Sequence, residues 1–197
     1  MNFVDGHPTI PAGEPADRPL DLPLRAVVLE IERHAAEAGW DQPARLFALV
    51  ATADLLAQEP GLAAAVGVDP DADLTGSLTP VEQEELPPGQ PVEEFLTQLM
   101  WPDEVLGAAV VVERLVLPPS VGELPEDPSS AQQLAESHPD RQEVRMVAAA
   151  TRTGSTYCAL RLRSHDDAFA VVEGPDLVPA LLELLKSTLD PMDDPEQ

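Results

Sequence analysis

The chain has 197 residues, 44% of them apolar, which is enough for one folded domain with a real core, and its formal net charge is −25. A surface so acidic repels phosphate; it argues against non-specific binding of nucleic acid or an anionic membrane face, and its natural complements are basic proteins, cationic peptides and metal ions. The single cysteine, Cys158, excludes an intrachain disulfide, and the N-terminus has neither the basic start nor the apolar core of a signal peptide, so a reduced, cytoplasmic setting is expected. No apolar run approaches the ~18–20 residues of a membrane helix, so no membrane segment is expected.

Residues 1–20 carry four prolines and read as a mobile N-terminal arm. Asp21 is placed to cap a helix with Pro23 in its first turn. Leu24, Val27, Val28, Ile31, Ala35 and Ala38 then recur at helical spacing, and Gly39 is placed to end the helix. Trp40 serves as a joint. Asp41 is placed to cap a second helix to Gln58, with Pro43 in its first turn and Leu46, Phe47, Leu49, Val50, Ala53, Leu56 and Ala57 as its apolar face. Leu62–Val66 adds a further turn. So short a joint predicts an antiparallel helical hairpin.

Residues 67–91 form an acidic loop. Asp69, Asp71 and Asp73 stand at calcium-loop spacing, but the glycine at the sixth position and the glutamate at the twelfth are missing. Thr79-Pro80-Val81-Glu82 fits a capping box and predicts a short helix start. Val92–Trp101 predicts a short helix with Phe95, Leu96, Leu99 and Met100 on its sticky face. Val105–Leu117 is the most strand-like segment: its valines are β-branched and its apolar run is nearly continuous, so it reads as covered on both faces or central in a sheet. Residues 118–140 are a long loop, with a helical turn or two expected at Ser130–Ser137.

The segment from Arg141 to Gly174 predicts an antiparallel meander. Its runs are Val144–Arg152, Thr156–Arg163 and Ala168–Glu173, joined by short Gly- or Asp-bearing turns. Asp176 is placed to cap a last helix with Pro179 in its first turn, and residues 190–197 form an acidic tail. The fold class expected is α+β. An antiparallel sheet of three to four strands packs with the N-terminal helical hairpin and the C-terminal helix, in a single domain over residues 21–189.

Five of the eleven bases fall between Arg141 and Arg163, against Glu143 as the only acid there. The i, i+2 spacing of Arg161 and Arg163 puts both on one strand face, with Cys158, Leu160 and Leu162 on the other. The hairpin brings Arg152 to the same face. Arginine suits bidentate grip on carboxylate or phosphate, so Arg152, Arg161, Arg163 and His165 are the candidate ligand-binding residues. The favoured reading is that these arginines pair with the chain's own acids, such as Glu113 or Glu173. The alternatives are an anionic ligand or acidic peptide, and a subunit interface. His165-Asp166-Asp167 reads as a turn, because three adjacent turn residues cannot all point at one metal ion. Phe95, Met100 and Trp101 read first as core; otherwise they are the candidate partner-binding residues, as an exposed apolar ridge beside the acidic loop.

No Gly-rich phosphate loop, HExxH, CxxC or GxSxG occurs, and neither a cofactor nor a catalytic residue is implied. The phrases Trp101-Pro102-Asp103, Leu117-Pro118-Pro119, Ala159-Leu160-Arg161-Leu162-Arg163 running into His165-Asp166-Asp167, and Leu177-Val178-Pro179-Ala180-Leu181 together carry a resemblance. The chain resembles, from Leu24 to Leu189, an uncharacterised family of acidic cytoplasmic proteins of about this length from actinobacteria. The resemblance implies a cytoplasmic origin and a single domain, and no activity. In size, acidity and element order the chain is also similar to secretion-chaperone-like proteins, which bind other polypeptides and are often dimers. The function expected is a non-enzymatic protein-binding module, adaptor- or chaperone-like, with a protein partner or a homodimer. The alternative is a small-molecule enzyme or sensor that grips an anion on the arginine-bearing sheet face.

Overall fold

Six strands form one antiparallel sheet in the computed structural model, which describes residues 20–59, 61, 73–83, 86, 90–117 and 127–190. They are β1 (Arg45–Ala51), β2 (Leu78–Glu82), β3 (Gly107–Val116), β4 (Gln142–Thr151), β5 (Thr156–Leu162) and β6 (Val172–Gly174), in the spatial order β2-β1-β3-β4-β5-β6. Helix α1 (Leu22–Glu37) covers one face. Two short helices, α2 (Thr52–Gln58) and α3 (Val92–Leu96), follow β1 and β2 in the chain. Helix α4 (Pro128–Ser137) leads into β4, and α5 (Pro179–Ser187) covers the second face together with α3.

The long central strands carry apolar residues on both sides because both sides are covered. In β3, Ala108, Val110 and Val112 face α5 while Ala109 and Val111 face α1, and all five are buried. In β4, Ala148 and Ala150 face α5 while Val147 and Ala149 face α1. Alanines here let the helices lie close to the sheet. Leu24, Val28 and Ile31 of α1 fill the space above them and are essentially inaccessible. Each contributes about 1.5–3 kcal/mol by burial. Asp21 caps α1 by accepting from Leu24 N, and Gly39, at φ 83°, ends it, as the residue pattern predicted.

The N-terminal helical hairpin is not formed, and the sheet has six strands rather than three or four. Residues 45–51, expected in a second helix, are β1. Leu46 and Ala48 pack on the α5 side, Phe47 and Leu49 on the α1 side. A short apolar run buried on both faces has no periodicity that separates strand from buried helix. Neighbouring strands on both sides, β2 and β3, satisfy its backbone. Asp41, expected as a helix cap, instead adopts φ 64°, in the left-handed region that no N-cap uses. The capping-box sequence at 79–82 is likewise strand β2. It lies at the edge of the sheet, where Pro80 costs no ladder bond on its outer side.

Smaller corrections follow the same logic. Helix α3 ends at Leu96 and the chain turns from there to Trp101. The last helix begins at Pro179, and no side chain caps it, so Asp176 lies upstream of it. Helix α4 is longer than the expected turn or two and is capped by Asp127. Leu62–Val66, the arm at 1–19, most of the acidic loop and the tail at 191–197 lie outside the described residues.

Candidate functional site

Strand register places Glu113 of β3 opposite Arg145 of β4, and Arg145 opposite Arg161 of β5. All three point to the α1 face near the end of the sheet where α1 terminates. Two arginines directly opposite each other repel. Here each has its own carboxylate. Arg145 donates through Nε and Nη2 to Glu113 Oε1 at 3.1 and 2.8 Å, and through Nη2 to the Gly39 carbonyl. Arg161 makes a bidentate pair with Glu32 of α1 at 2.5 and 2.9 Å, and its Nη1 donates to Asp166 at 3.2 Å. Arg145, Arg161 and Glu32 are all buried.

The turn after α1 completes the arrangement. The guanidinium of Arg145 lies over the Trp40 ring at 4.3 Å, and that of Arg163 lies at 5.6 Å. Trp40 Nε1 donates to Asp166 at 2.9 Å. The amide of Asp41 donates to Glu113 at 2.8 Å, while its carboxylate accepts both Nη groups of Arg163 at 2.8 and 2.9 Å. Arg163 also donates to Glu143. Three guanidiniums thus meet five carboxylates around one indole. The electrostatics follow. The bond from Trp40, and then Arg161, holds the Asp166 carboxyl below the usual range. Arg163 does the same for Asp41. Glu32 and then Asp166 push the Arg161 guanidinium up, and Asp41 and then Glu143 push up that of Arg163.

The candidate ligand residues do not form one constellation. Arg152 lies just past the end of β4, away from Arg161. It binds backbone carbonyls: Nε to Val105 at 2.8 Å, Nη1 to Leu189, and Nη2 to Trp101 and Pro102 at 2.9 Å each. It thus clamps the end of α5 to the loop before β3. Arg163 falls in a 3-10 turn just past β5, not in the strand. His165 is exposed and lies beside the Ser164 hydroxyl at 3.0 Å. Trp101 is buried in the α5-side core, Phe95 is half-buried against it, and Met100 is exposed. Cys158 is buried, and burial pushes its thiol up, away from nucleophilic use.

Several residues of the network escaped sequence reasoning. Glu32 had a signal: it sits four residues after Val28 and three before Ala35, on the apolar stripe of α1, where an unpaired acid would not be buried. Trp40, Asp41 and Asp166 had none, because only the sheet brings them together.

A cleft of about 210 Å³ opens between the end of α1 and the β1–β2 corner, lined by His34, Gln42, Pro43, Arg45, Glu82 and Gln83 among others. Its guanidinium, Arg45, is already bidentate to Glu82 at 2.5 and 2.6 Å. Among the described residues, no group of His, Cys, Asp and Glu is placed to hold a metal ion, and no helix is long and apolar enough to cross a membrane.

The opposite corner differs. Phe169, in the turn before β6, is 99% exposed, and Val172 of β6 is 54% exposed. On the same face as Val172, Leu160 and Leu162 of β5 are only half covered. The fold is thus an α+β sandwich of helices on a six-stranded antiparallel sheet, with an arginine–carboxylate network at one end. The chain belongs to the PPA1309-like protein family, an uncharacterised family, whose model matches residues 24–190. No curated protein and no solved structure matches it.

Proposed function

We propose that this chain is a non-catalytic protein-binding module that meets its partner at the β5–β6 corner of the sheet. The observation that supports this reading is Phe169, an aromatic ring almost wholly in water, with Val172 exposed three residues on. Large apolar side chains left in water on a chain this acidic are what a contact site presents. A cytoplasmic setting belongs to the same reading, and fits a single, buried cysteine.

The rival reading, an anion held by Arg152, Arg161 and Arg163, is less well supported. Each guanidinium already holds carboxylates or carbonyls of this chain. An anionic guest would have to displace them.

The test is a photoreactive phenylalanine analogue placed at position 169, with the same analogue at exposed Leu22 as control. A protein adduct from 169 and not from 22 is the expected result. No adduct at 169, together with thermal stabilisation by phosphate or citrate beyond matched ionic strength, sinks this reading in favour of the anion site.

A further inference from the structure

We infer that a chamber beside Arg145 binds one uncharged hydroxyl oxygen, supplied by a water or by a small polyol, which accepts from the guanidinium and donates to the opposite wall. Arg145 is 1% exposed, and its Nε and Nη2 are taken by Glu113 and the Gly39 carbonyl. Its Nη1 is buried as well, and no group among the described residues accepts from it. A buried donor on a charged group is costly to leave unmet, so an acceptor is expected beside it. The fold provides the space. Arg145 lines a chamber of about 10 Å³, with Ala35, Gln42, Pro43, Val111 and Glu113 among its other walls. That is room for one water-sized group and no more.

The walls select the chemistry of the guest. Glu113 Oε2 accepts the Asp41 amide and has a lone pair to spare. The amide nitrogen of Gln42 donates to the Ala38 and Trp40 carbonyls, which leaves its oxygen as an acceptor. The guest therefore faces one N–H donor and two acceptors, and must both accept and donate. A halide or a carboxylate only accepts, and would lie against the Glu113 carboxylate. A metal or ammonium ion would lie against the guanidiniums of Arg45 and Arg145, which both line the chamber. An oxygen that carries its own hydrogen meets every wall. The 210 Å³ cleft shares Gln42, Pro43 and Arg45 with the chamber, so it is the way in for water and has room for the carbons of a polyol. Held there, the oxygen ties the turn after α1 to β3 and β4 through Gln42, Glu113 and Arg145.

The test is a high-resolution crystal structure of the full chain grown without polyols, paired with water-to-methyl magnetisation transfer by NMR. One oxygen is expected within hydrogen-bonding distance of Arg145 Nη1 and of Glu113 or Gln42, with a long-lived water contact at the Val111 methyls. Glycerol separates the two sources. If a polyol hydroxyl is the better guest, glycerol replaces the water in the crystal and abolishes the contact in solution; if water is, both stay as they were. Ala35→Val fills the chamber and is expected to abolish the contact, and a contact that persists in that variant puts the water elsewhere and overturns the inference. The wild type decides the matter even if that variant does not fold. Bromide showing as an anomalous peak in the chamber overturns the inference by making this an anion site. So does a dry chamber in which Nη1 donates to another group of the protein.

Discussion

Arg161 and Glu32 are both buried, and each is the other's principal partner. Stripping one charge from such a pair strands the other in a medium that cannot solvate it, which costs about 3–5 kcal/mol. Arg161→Ala is therefore expected to lower stability by that amount in urea titration, and phosphate should not rescue it. The double variant Glu32→Leu/Arg161→Met removes both charges and should recover most of the loss. Arg152→Ala acts differently, since it takes a donor from four carbonyls, of which Pro102 keeps the Val105 amide, and strands no charge. Hydrogen bonds to a charged group contribute ~1.5–3 kcal/mol, and a loss of about 2–3 kcal/mol is expected. Arg152→Lys should not restore it, because a point-like ammonium cannot span four acceptors. The residue pattern singled out Arg152, Arg161 and Arg163, and each makes three or four hydrogen bonds within the chain, as Arg145 also does. It placed all three on one sheet face, whereas Arg152 binds carbonyls at the other end of the strands.

At the scale of elements, the informative failure is β1. Its residues, Arg-Leu-Phe-Ala-Leu-Val-Ala, contain good helix formers, and intrinsic preference alone points the wrong way. Burial on both faces between β2 and β3 overrides that preference. The meander β4–β5–β6 was legible because its half-apolar runs are joined by short turns, with Gly154 at φ 85° in the first of them, although, of the expected third run, Ala168–Ala170 is a 3-10 turn and the strand is only Val172–Gly174. Close packing at the start of β3 supplies a test. A methyl group on Gly107 would meet the Ala150 carbonyl oxygen at 2.6 Å and Thr151 Cα at 3.3 Å, backbone atoms that cannot swing aside. Gly107→Ala is expected to cost about 1–3 kcal/mol by overpacking. Gly39→Ala has open space around the added methyl but a left-handed φ of 83°. It should cost only the ~1–2 kcal/mol of that conformation. Thermal melts of the two variants side by side check the ranking.

The whole molecule carries −25, and its basic groups are mostly spoken for. Repulsion among the unpaired acids opposes compaction. At neutral pH the Tm should therefore rise with salt, as the Debye length shrinks from ~30 Å at 0.01 M to ~10 Å at 0.1 M. Falling Tm with salt would mean that the exposed ion pairs outweigh the general repulsion. The pH dependence has the opposite origin. Asp41, Glu82, Asp166 and Glu173 all have carboxyls held below the ordinary range by Arg163, Arg45, Trp40 and Arg25 respectively. Groups depressed in the folded state contribute stability above their unfolded value, near 4, and lose it as pH falls through the folded value. The acid limb of a Tm–pH profile should thus begin below about pH 4, and Asp166→Asn should make it shallower.

The sequence by itself determined the α+β class, the capped first helix, the central strand at β3, the meander, and the clustering of arginines in it. These are local properties: capping, periodicity, turn chemistry and composition act within a few residues. Tertiary structure alone decided that residues 45–51 are a strand, that β2 joins the sheet, and that Arg161 answers to Glu32, 129 positions away in the chain. It also decided that Phe169 has nothing to cover it. Which face of a segment is buried, and by what, is set by the neighbours that sheet register and helix placement bring to it, and no window along the chain contains them.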